Sequence, residues 1–340
     1  MISPQAVVLA GLAGLILALP AGAQQRAPTA SGISGFLTVM PGYVSSESQF
    51  NTDGENRRTN NLDNSGNSVS EFVPILLGEV RYSFADIRTQ PYLGVPIENI
   101  REGTFFPELG VRHWLPDGTR LSAALYWQPF LPPKTWEDPF VVGERRKRTD
   151  ADSYGFKLGA DNLLGSGFGL RYEFARNDVD DEDSGQFLAG QPGSTLTGGD
   201  LDNLERDADY HRVTPSYRFA ITDRWALIPA FRYTLGDADG GSNSFGAYRP
   251  EIGLVYDDER LLVSLNLLYE HFDYGKDNPI FGEERDEDAV SAVLNAVYRQ
   301  PFGLAGVSLN TLALATDGDS DITFYDNRAA LVGLGATYSF

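Results

Sequence analysis

The stretch from Leu331 to Phe340, LVGLGATYSF, alternates with a period of two. Val332, Leu334, Ala336, Tyr338 and Phe340 fall on one face of a strand. Leu331, Gly333, Gly335, Thr337 and Ser339 fall on the other. One face is apolar and ends on an aromatic residue, and the opposite face is mostly small or polar. The same alternation recurs upstream: Leu121, Ala123, Leu125 and Trp127 share a face, as do Phe168, Leu170, Tyr172 and Phe174. Trp225, Leu227, Phe231 and Tyr233 repeat it, and so do Leu261, Val263, Leu265, Leu267 and Tyr269. A chain whose strands each present one apolar face asks for an environment that covers all of those faces at once.

Short turns alternate with longer polar segments between the strands. Short turns read at 85–86, 115–118, 164–166, 221–223, 257–259 and 301–303. Longer segments read at 48–70, 97–103, 131–149, 178–207, 236–244, 273–286 and 317–322. Six turns and seven loops separate fourteen strands, an even number that leaves both termini on one side. Aromatic residues gather at both strand ends. Tyr82, Phe84, Trp114, Phe219, Trp225, Tyr256, Tyr298 and Phe340 lie beside the turns, and Tyr43, Phe72, Phe105, Phe174, Tyr233 and Tyr269 lie toward the loops. Two aromatic girdles around apolar strand faces predict an all-β fold, a transmembrane antiparallel β-barrel. In a soluble sandwich the aromatics would sit in the middle of the strands. Seven prolines, Pro41, Pro74, Pro107, Pro129, Pro215, Pro229 and Pro250, fall within the expected strands, where they would mark bulges or strand ends.

The amino-terminal end points to export. Ala6 to Leu19 is an apolar run too short to span a bilayer, followed by Pro20 and the small-residue site Ala21-Gly22-Ala23. The chain therefore divides into a signal peptide at 1–23, a short periplasmic lead at 24–31 and a barrel at 32–340. The absence of cysteine excludes disulfides, thiolate metal sites and a lipidated mature terminus. A net charge of -20 argues against nucleic acid as a partner. An aromatic content of 12% with 36 glycines suits a chain of strands and turns in which only alternate residues meet lipid.

The final strand resembles the closing strand of bacterial outer-membrane barrels. Gly335, Tyr338 and Phe340 match the spacing of that group's assembly signal, although Gly333 stands where a polar residue is usual. The resemblance implies the bacterial outer membrane as location, with lipid, lipopolysaccharide and the barrel-assembly machinery as partners. Five segments go further: SGFLTVMPGYVSS from Ser34, TWEDPF from Thr135, NDVDDEDSG from Asn177, DNPIFGEERDED from Asp277 and DITFYD from Asp321. Together they look like a family of proteobacterial outer-membrane proteins whose domain is of unknown function. That family carries location and fold, and no functional residues.

The inward phase of the strands holds Glu79, Arg81, Glu108, Arg112, Lys157, Arg171, Glu173, Arg212, Arg218, Arg232, Arg249, Glu251 and Glu270. These charges would line a water-filled lumen and set its selectivity. Alternatively, neighbours such as Glu79 with Arg81, Arg171 with Glu173 and Arg249 with Glu251 would fill the interior as ion pairs. Arg145, Arg146, Lys147 and Arg148 form a basic cluster beside Trp136 and Phe140, suited to lipopolysaccharide phosphates or to a pore constriction. Pairing with Glu137, Asp138 and Glu144 is the plainer alternative. Acidic runs at Asp178 to Asp183, Asp237 with Asp239, Glu283 to Asp288 and Asp317 to Asp321 lack the ordered spacing of a calcium loop and read as solvated surface, with no metal or cofactor expected. His113, His211 and His271 all take the lipid-facing phase, with Asp209 beside His211 the nearest approach to an acid–base pair. No hydrolase elbow or phosphate loop appears, so an enzyme is not expected. The sequence therefore predicts a porin-like passive channel for small solutes, similar in size to monomeric porins. The lead at 24–31 is too short for a plug and disfavours a hydrophobic-substrate channel. The alternatives are a non-conducting structural or adhesive surface barrel and, further off, an outer-membrane hydrolase.

Overall fold

A computed structural model describes residues 26–96, 106–127 and 133–340. The expected signal peptide at 1–23, the segment 97–103, Phe105 and Pro129 lie outside the described residues. The first strand, β1 (Gly32–Glu47), is followed by β2 (Ser68–Ser83), β3 (Thr89–Gly94), β4 (Glu108–Trp114), β5 (Arg120–Trp127), a short β6 (Lys134–Trp136), β7 (Arg148–Asp161) and β8 (Phe168–Val179). Then come β9 (Ala208–Tyr217), a two-residue β10 (Phe219–Ala220), β11 (Trp225–Ala238), β12 (Phe245–Asp257), β13 (Leu261–Tyr274), β14 (Glu287–Arg299), β15 (Val307–Ser320) and β16 (Asn327–Ser339). Strand β6 is a side ladder on β7, and β10 continues the β9 edge against β11. The remaining fourteen strands pair antiparallel with their sequence neighbours, and β1 pairs β16. The sheet is therefore closed on itself, each of the fourteen strands pairing on both sides, the arrangement that satisfies backbone groups where there is no water.

Closure follows from the alternation of Leu331 to Phe340. Leu331 and Gly333 of β16 face inward opposite Val44 and Gly42, while Val332 and Leu334 point out at 52% and 61% exposure. Gly335 lets the seam close, because a Cβ there would stand 2.7 Å from the Cα of Met40. Exposed apolar residues continue around the outer wall, among them Leu37, Leu76, Leu125, Leu170, Leu267 and Val290. A closed barrel wrapped in an apolar band is the transmembrane architecture.

Aromatic pairs mark both rims: Tyr82 with Phe84 and Trp225 with Tyr256 at the turn end, Tyr43 with Phe72 and Tyr233 with Tyr248 toward the loops. Trp114 departs from its expected place in the girdle. It is 5% exposed and shares the inward phase of Glu108 and Arg112, since His113 beside it points out. The prolines also correct the expectation. Pairing is interrupted beside Pro41, Pro215 and Pro250, yet the register is identical on both sides of each gap. They are missing rungs in an otherwise continuous ladder, with no inserted residue. Pro41 and Pro74 stand opposite each other, and Pro107 immediately precedes β4.

The described loops are long at one end and short at the other. Between β8 and β9 the chain forms two short helices, α1 (Gln186–Ala189) and α2 (Gly198–Asp202), the second opened by a Thr197–Asp200 capping box. The link between them, Gly190 to Leu196, is largely exposed. Protease added to intact cells should therefore cut within 190–196. Cleavage confined to the turn at 115–118 would invert the topology.

Candidate functional site

The inner wall divides into a charged side and an apolar side. On the charged side Glu79 of β2 takes Arg112 of β4 at 2.9 Å and Arg81 at 3.1 Å, reaching past the six-residue β3. Arg112 lies over the Tyr92 ring at 3.9 Å, and Tyr92 donates its hydroxyl to Glu108 at 3.0 Å. Glu108 also holds Lys157 at 2.7 Å. Lys157 stands over Tyr126, whose hydroxyl donates to Glu173, and Glu173 accepts from Arg212 at 2.7 Å. Further round, Arg249 pairs Glu251 at 2.9 Å and Glu270 at 3.4 Å. Glycines make this relay fit the wall. A Cβ on Gly110 would overlap the Tyr92 ring, and one on Gly155 would stand 2.7 Å from the Tyr126 hydroxyl. Both tyrosines therefore lie flat against the sheet.

The apolar side runs from β13 through β16 and β1 to β2. Leu268, Val293, Leu312, Leu314, Leu331, Met40, Val44 and Val73 form one buried cluster. No side chain facing inward from the spanning part of β15, β16 or β1 is charged. The sequence pattern separates inside from outside, but this division of the interior appears only when strands distant in sequence become neighbours.

Above the lumen the long loops build a second core. Phe140, Leu204, Ile322, Phe324 and Tyr325 are buried together, with Phe50, Leu62, Leu188, Ile280 and Phe281 against them. These residues come from five loops. The β5–β7 and β15–β16 loops rise from nearly opposite points of the ring, separated by six strands one way and eight the other. Their Phe140 and Phe324 rings nevertheless meet at 5.2 Å. The loops therefore converge over the mouth.

A polar clasp fixes this cap. Arg146, 2% exposed, donates from Nε to the Asn56 carbonyl at 3.1 Å and from Nη1 to those of Gln49 (3.1 Å) and Pro139 (3.2 Å). Its guanidinium lies 4.8 Å from the Trp136 ring centre, and Trp136 donates Nε1–H to the same Gln49 carbonyl at 2.9 Å. Burial pulls Arg146 down to about 10, so it keeps its charge at neutral pH. Asp138 accepts the backbone N–H groups of Phe140, Gly185 and Phe187, tying the β5–β7 loop to α1. Burial pushes the Asp138 carboxyl upward against those donors. Arg285 adds a stack, its guanidinium 3.8 Å from Tyr274 and 3.9 Å from Tyr325.

The expected basic cluster is therefore not one patch. Arg146 is a buried clasp, Arg148 begins β7, and Lys147 is exposed and bridges to Glu137 at 3.3 Å. Arg145 is exposed. Two of the acidic runs, through Asp178 and Asp239, join Asp207 and Asp209 around a cation that sequence spacing did not reveal, Arg176, which lies within 3.8 Å of all four. No group of three acidic or histidine side chains disposed for a metal exists among the described residues. His211 hydrogen-bonds the Tyr172 hydroxyl at 2.8 Å rather than Asp209. His271 meets Asp288 at 2.9 Å on the outer surface.

A family model described as a protein of unknown function (DUF2860) matches residues 32–339, the whole barrel. The chain belongs to this family. No curated protein matches it. Among solved structures it is similar to the outer-membrane channel DcaP of Acinetobacter baumannii, at 12% identity and a TM-score of 0.45, covering 91% of this chain and 97% of that one. It is similar also to a loop-deletion mutant of OmpT, an outer-membrane protein of Vibrio cholerae, at 11% and 0.43, covering 92% and 100%. An anion-selective porin from Comamonas acidovorans aligns at 10% and 0.39, covering 92% and 99%. This DUF2860 protein is an outer-membrane β-barrel, as its closed sheet and apolar outer band require.

Proposed function

We propose that the barrel is a narrow channel for small solutes, held shut at its outer mouth by its own loops. The observation that supports it is the charged inner wall. Cations and acids are relayed through mid-barrel from β2 to β13, where a protein that only needed a filled interior would do as well with apolar packing. Arg81, Arg112, Arg171, Arg212, Arg218, Arg232 and Arg249 on that wall outnumber Glu79, Glu108, Glu173, Glu251 and Glu270. The acidic loops act in the opposite sense by concentrating cations at the mouth, over a range of about 10 Å at 0.1 M salt. Selectivity measured from reversal potentials on open events should therefore move toward anions as ionic strength rises. Arg171→Gln with Arg232→Gln should reduce that shift. Unchanged cation preference at high salt would refute the assignment of the lumen.

A non-conducting surface barrel is the second reading, favoured by the depth at which Glu79, Arg112 and Arg249 are buried, at 2%, 3% and 1% exposure. Planar-bilayer recording of the refolded protein, with and without the cap clasp, separates the two.

A further inference from the structure

One cation of the inner wall lacks the carboxylate that its neighbours have. Arg232 sits mid-way along β11, 3% exposed. Its one hydrogen bond runs from Nε to the Thr214 hydroxyl at 3.4 Å, and it forms no ion pair with any described residue. Its direct cross-strand partner is another arginine, Arg249. Thr214, on its other side, pairs in register with Arg171. Three arginines thus lie along one row of the sheet, on β8, β11 and β12, with Arg212 two residues before Thr214 on β9. Glu173 answers Arg212, and Glu251 and Glu270 answer Arg249. Arg232 has no such carboxylate among the described residues, which leaves its positive charge unanswered on that row.

A buried ion without a partner is costly, and a direct like-charge neighbour adds to that cost. Nothing in the fold demands it, since Gln or Thr would fill the same inward position. The strain is relieved by one negative charge arriving from outside the chain. A planar carboxylate matches the guanidinium fork and neutralises the site, whereas a doubly charged phosphate would overshoot it. The surroundings indicate what the carboxylate is attached to. Leu268 stands opposite Glu251 in the β12–β13 register and opens the apolar wall that continues through Val293 and Leu312. A ligand with its charge at Arg232 can lay an apolar body on that wall.

We infer that Arg232 anchors a lumenal site for a monoanionic carboxylate with an apolar body, the site being formed where the arginine row meets the apolar wall. This deepens the channel reading by naming the class of solute, and it rests on that reading only for the solute's passage. The full chain is refolded in detergent with benzoate, benzamide, acetate or inorganic phosphate present, and thermal unfolding is followed by heat-modifiable migration. Benzoate should raise the unfolding temperature of the wild type in a saturable way. Benzamide should not, and acetate and phosphate should need at least about tenfold higher concentration, the equivalent of losing one charge-assisted contact or its apolar complement. Arg232→Gln should abolish the benzoate shift while folding at least as well, because it removes an uncompensated charge. Arg232→Lys should retain part of it, and Thr214→Val, which leaves the charge in place, should weaken it only mildly. Equal shifts from benzamide, a phosphate shift at lower concentration than benzoate, or a full benzoate shift in Arg232→Gln would each overturn the site. Bilayer current with no benzoate shift overturns the site and leaves the channel. A benzoate shift with no current at any voltage leaves the site and overturns the channel.

Discussion

Arg146→Ala should convert a barrel that is closed to ions for most of the time into one that conducts steadily. The wild-type guanidinium satisfies carbonyls of two different loops and stacks on Trp136, so its loss strips the clasp between the β1–β2 and β5–β7 segments. Hydrogen bonds from a charged donor contribute about 1.5–3 kcal/mol each, and the carbonyls of Asn56 and Pro139 would be left without a donor, while that of Gln49 keeps Trp136. Even with partial rescue by water, the loss is on the order of 3–5 kcal/mol, comparable to the whole stability of a small packed cluster. Trp136→Ala should act in the same direction through lost packing, since Trp136 is fully buried. Neither residue lies in a membrane-spanning strand, so heat-modifiable migration should show an intact barrel in both variants. Single-channel recording provides the measurement. If both variants fold and stay as silent as the wild type, the lumen itself is filled, and the surface-barrel reading takes over.

The parts of this molecule that could be read from sequence are those governed by period two. In a closed barrel every strand has lipid on one side, so alternation alone assigned Leu334 outward and Arg232 inward, and the counted turns gave fourteen strands. Trp114 lies beside a turn, which points to the girdle, but its phase, opposite to that of His113, turns it inward. The relay from Glu79 to Arg112 needs a register across β3 that no spacing encodes. The cap was the least legible part. Its contacts join residues such as Trp136 and Gln49, 87 positions apart, through loops with no periodicity. The segments TWEDPF, DNPIFGEERDED and DITFYD, which carry the family resemblance, supply Trp136, Phe140, Phe281, Phe324 and Tyr325 to it. Aromatic residues scattered through polar loops were the available signal, since solvated loops have little use for three phenylalanines and a tryptophan.

Removing Phe340 should block assembly in cells far more than it weakens the finished barrel. Its backbone exchanges two hydrogen bonds with Gly35, N–H to carbonyl at 3.0 Å and carbonyl to N–H at 2.9 Å, at the very seam where β1 meets β16. Its ring covers Gly35, where any Cβ would stand 2.7 Å from the ring carbon Cζ. Two backbone hydrogen bonds at about 0.5–1.5 kcal/mol each, with the lost cover of one exposed ring, give a modest cost for a sheet of fourteen strands. Refolding into detergent should therefore still yield barrel when Phe340 is deleted. In cells we propose a further requirement, that this strand is first recognised, with Gly335, Tyr338 and Phe340 setting the spacing for that recognition. Folded protein in the outer membrane should fall to a small fraction of wild type. Gly35→Val provides the contrast: it leaves the terminal signal intact but forces a branched side chain into the seam, costing about 1–3 kcal/mol or more. It should depress refolding in detergent and assembly in cells alike. If deleting Phe340 lowers the two yields equally, the last residue acts only as part of the seam, and the assembly signal must be sought elsewhere in the chain.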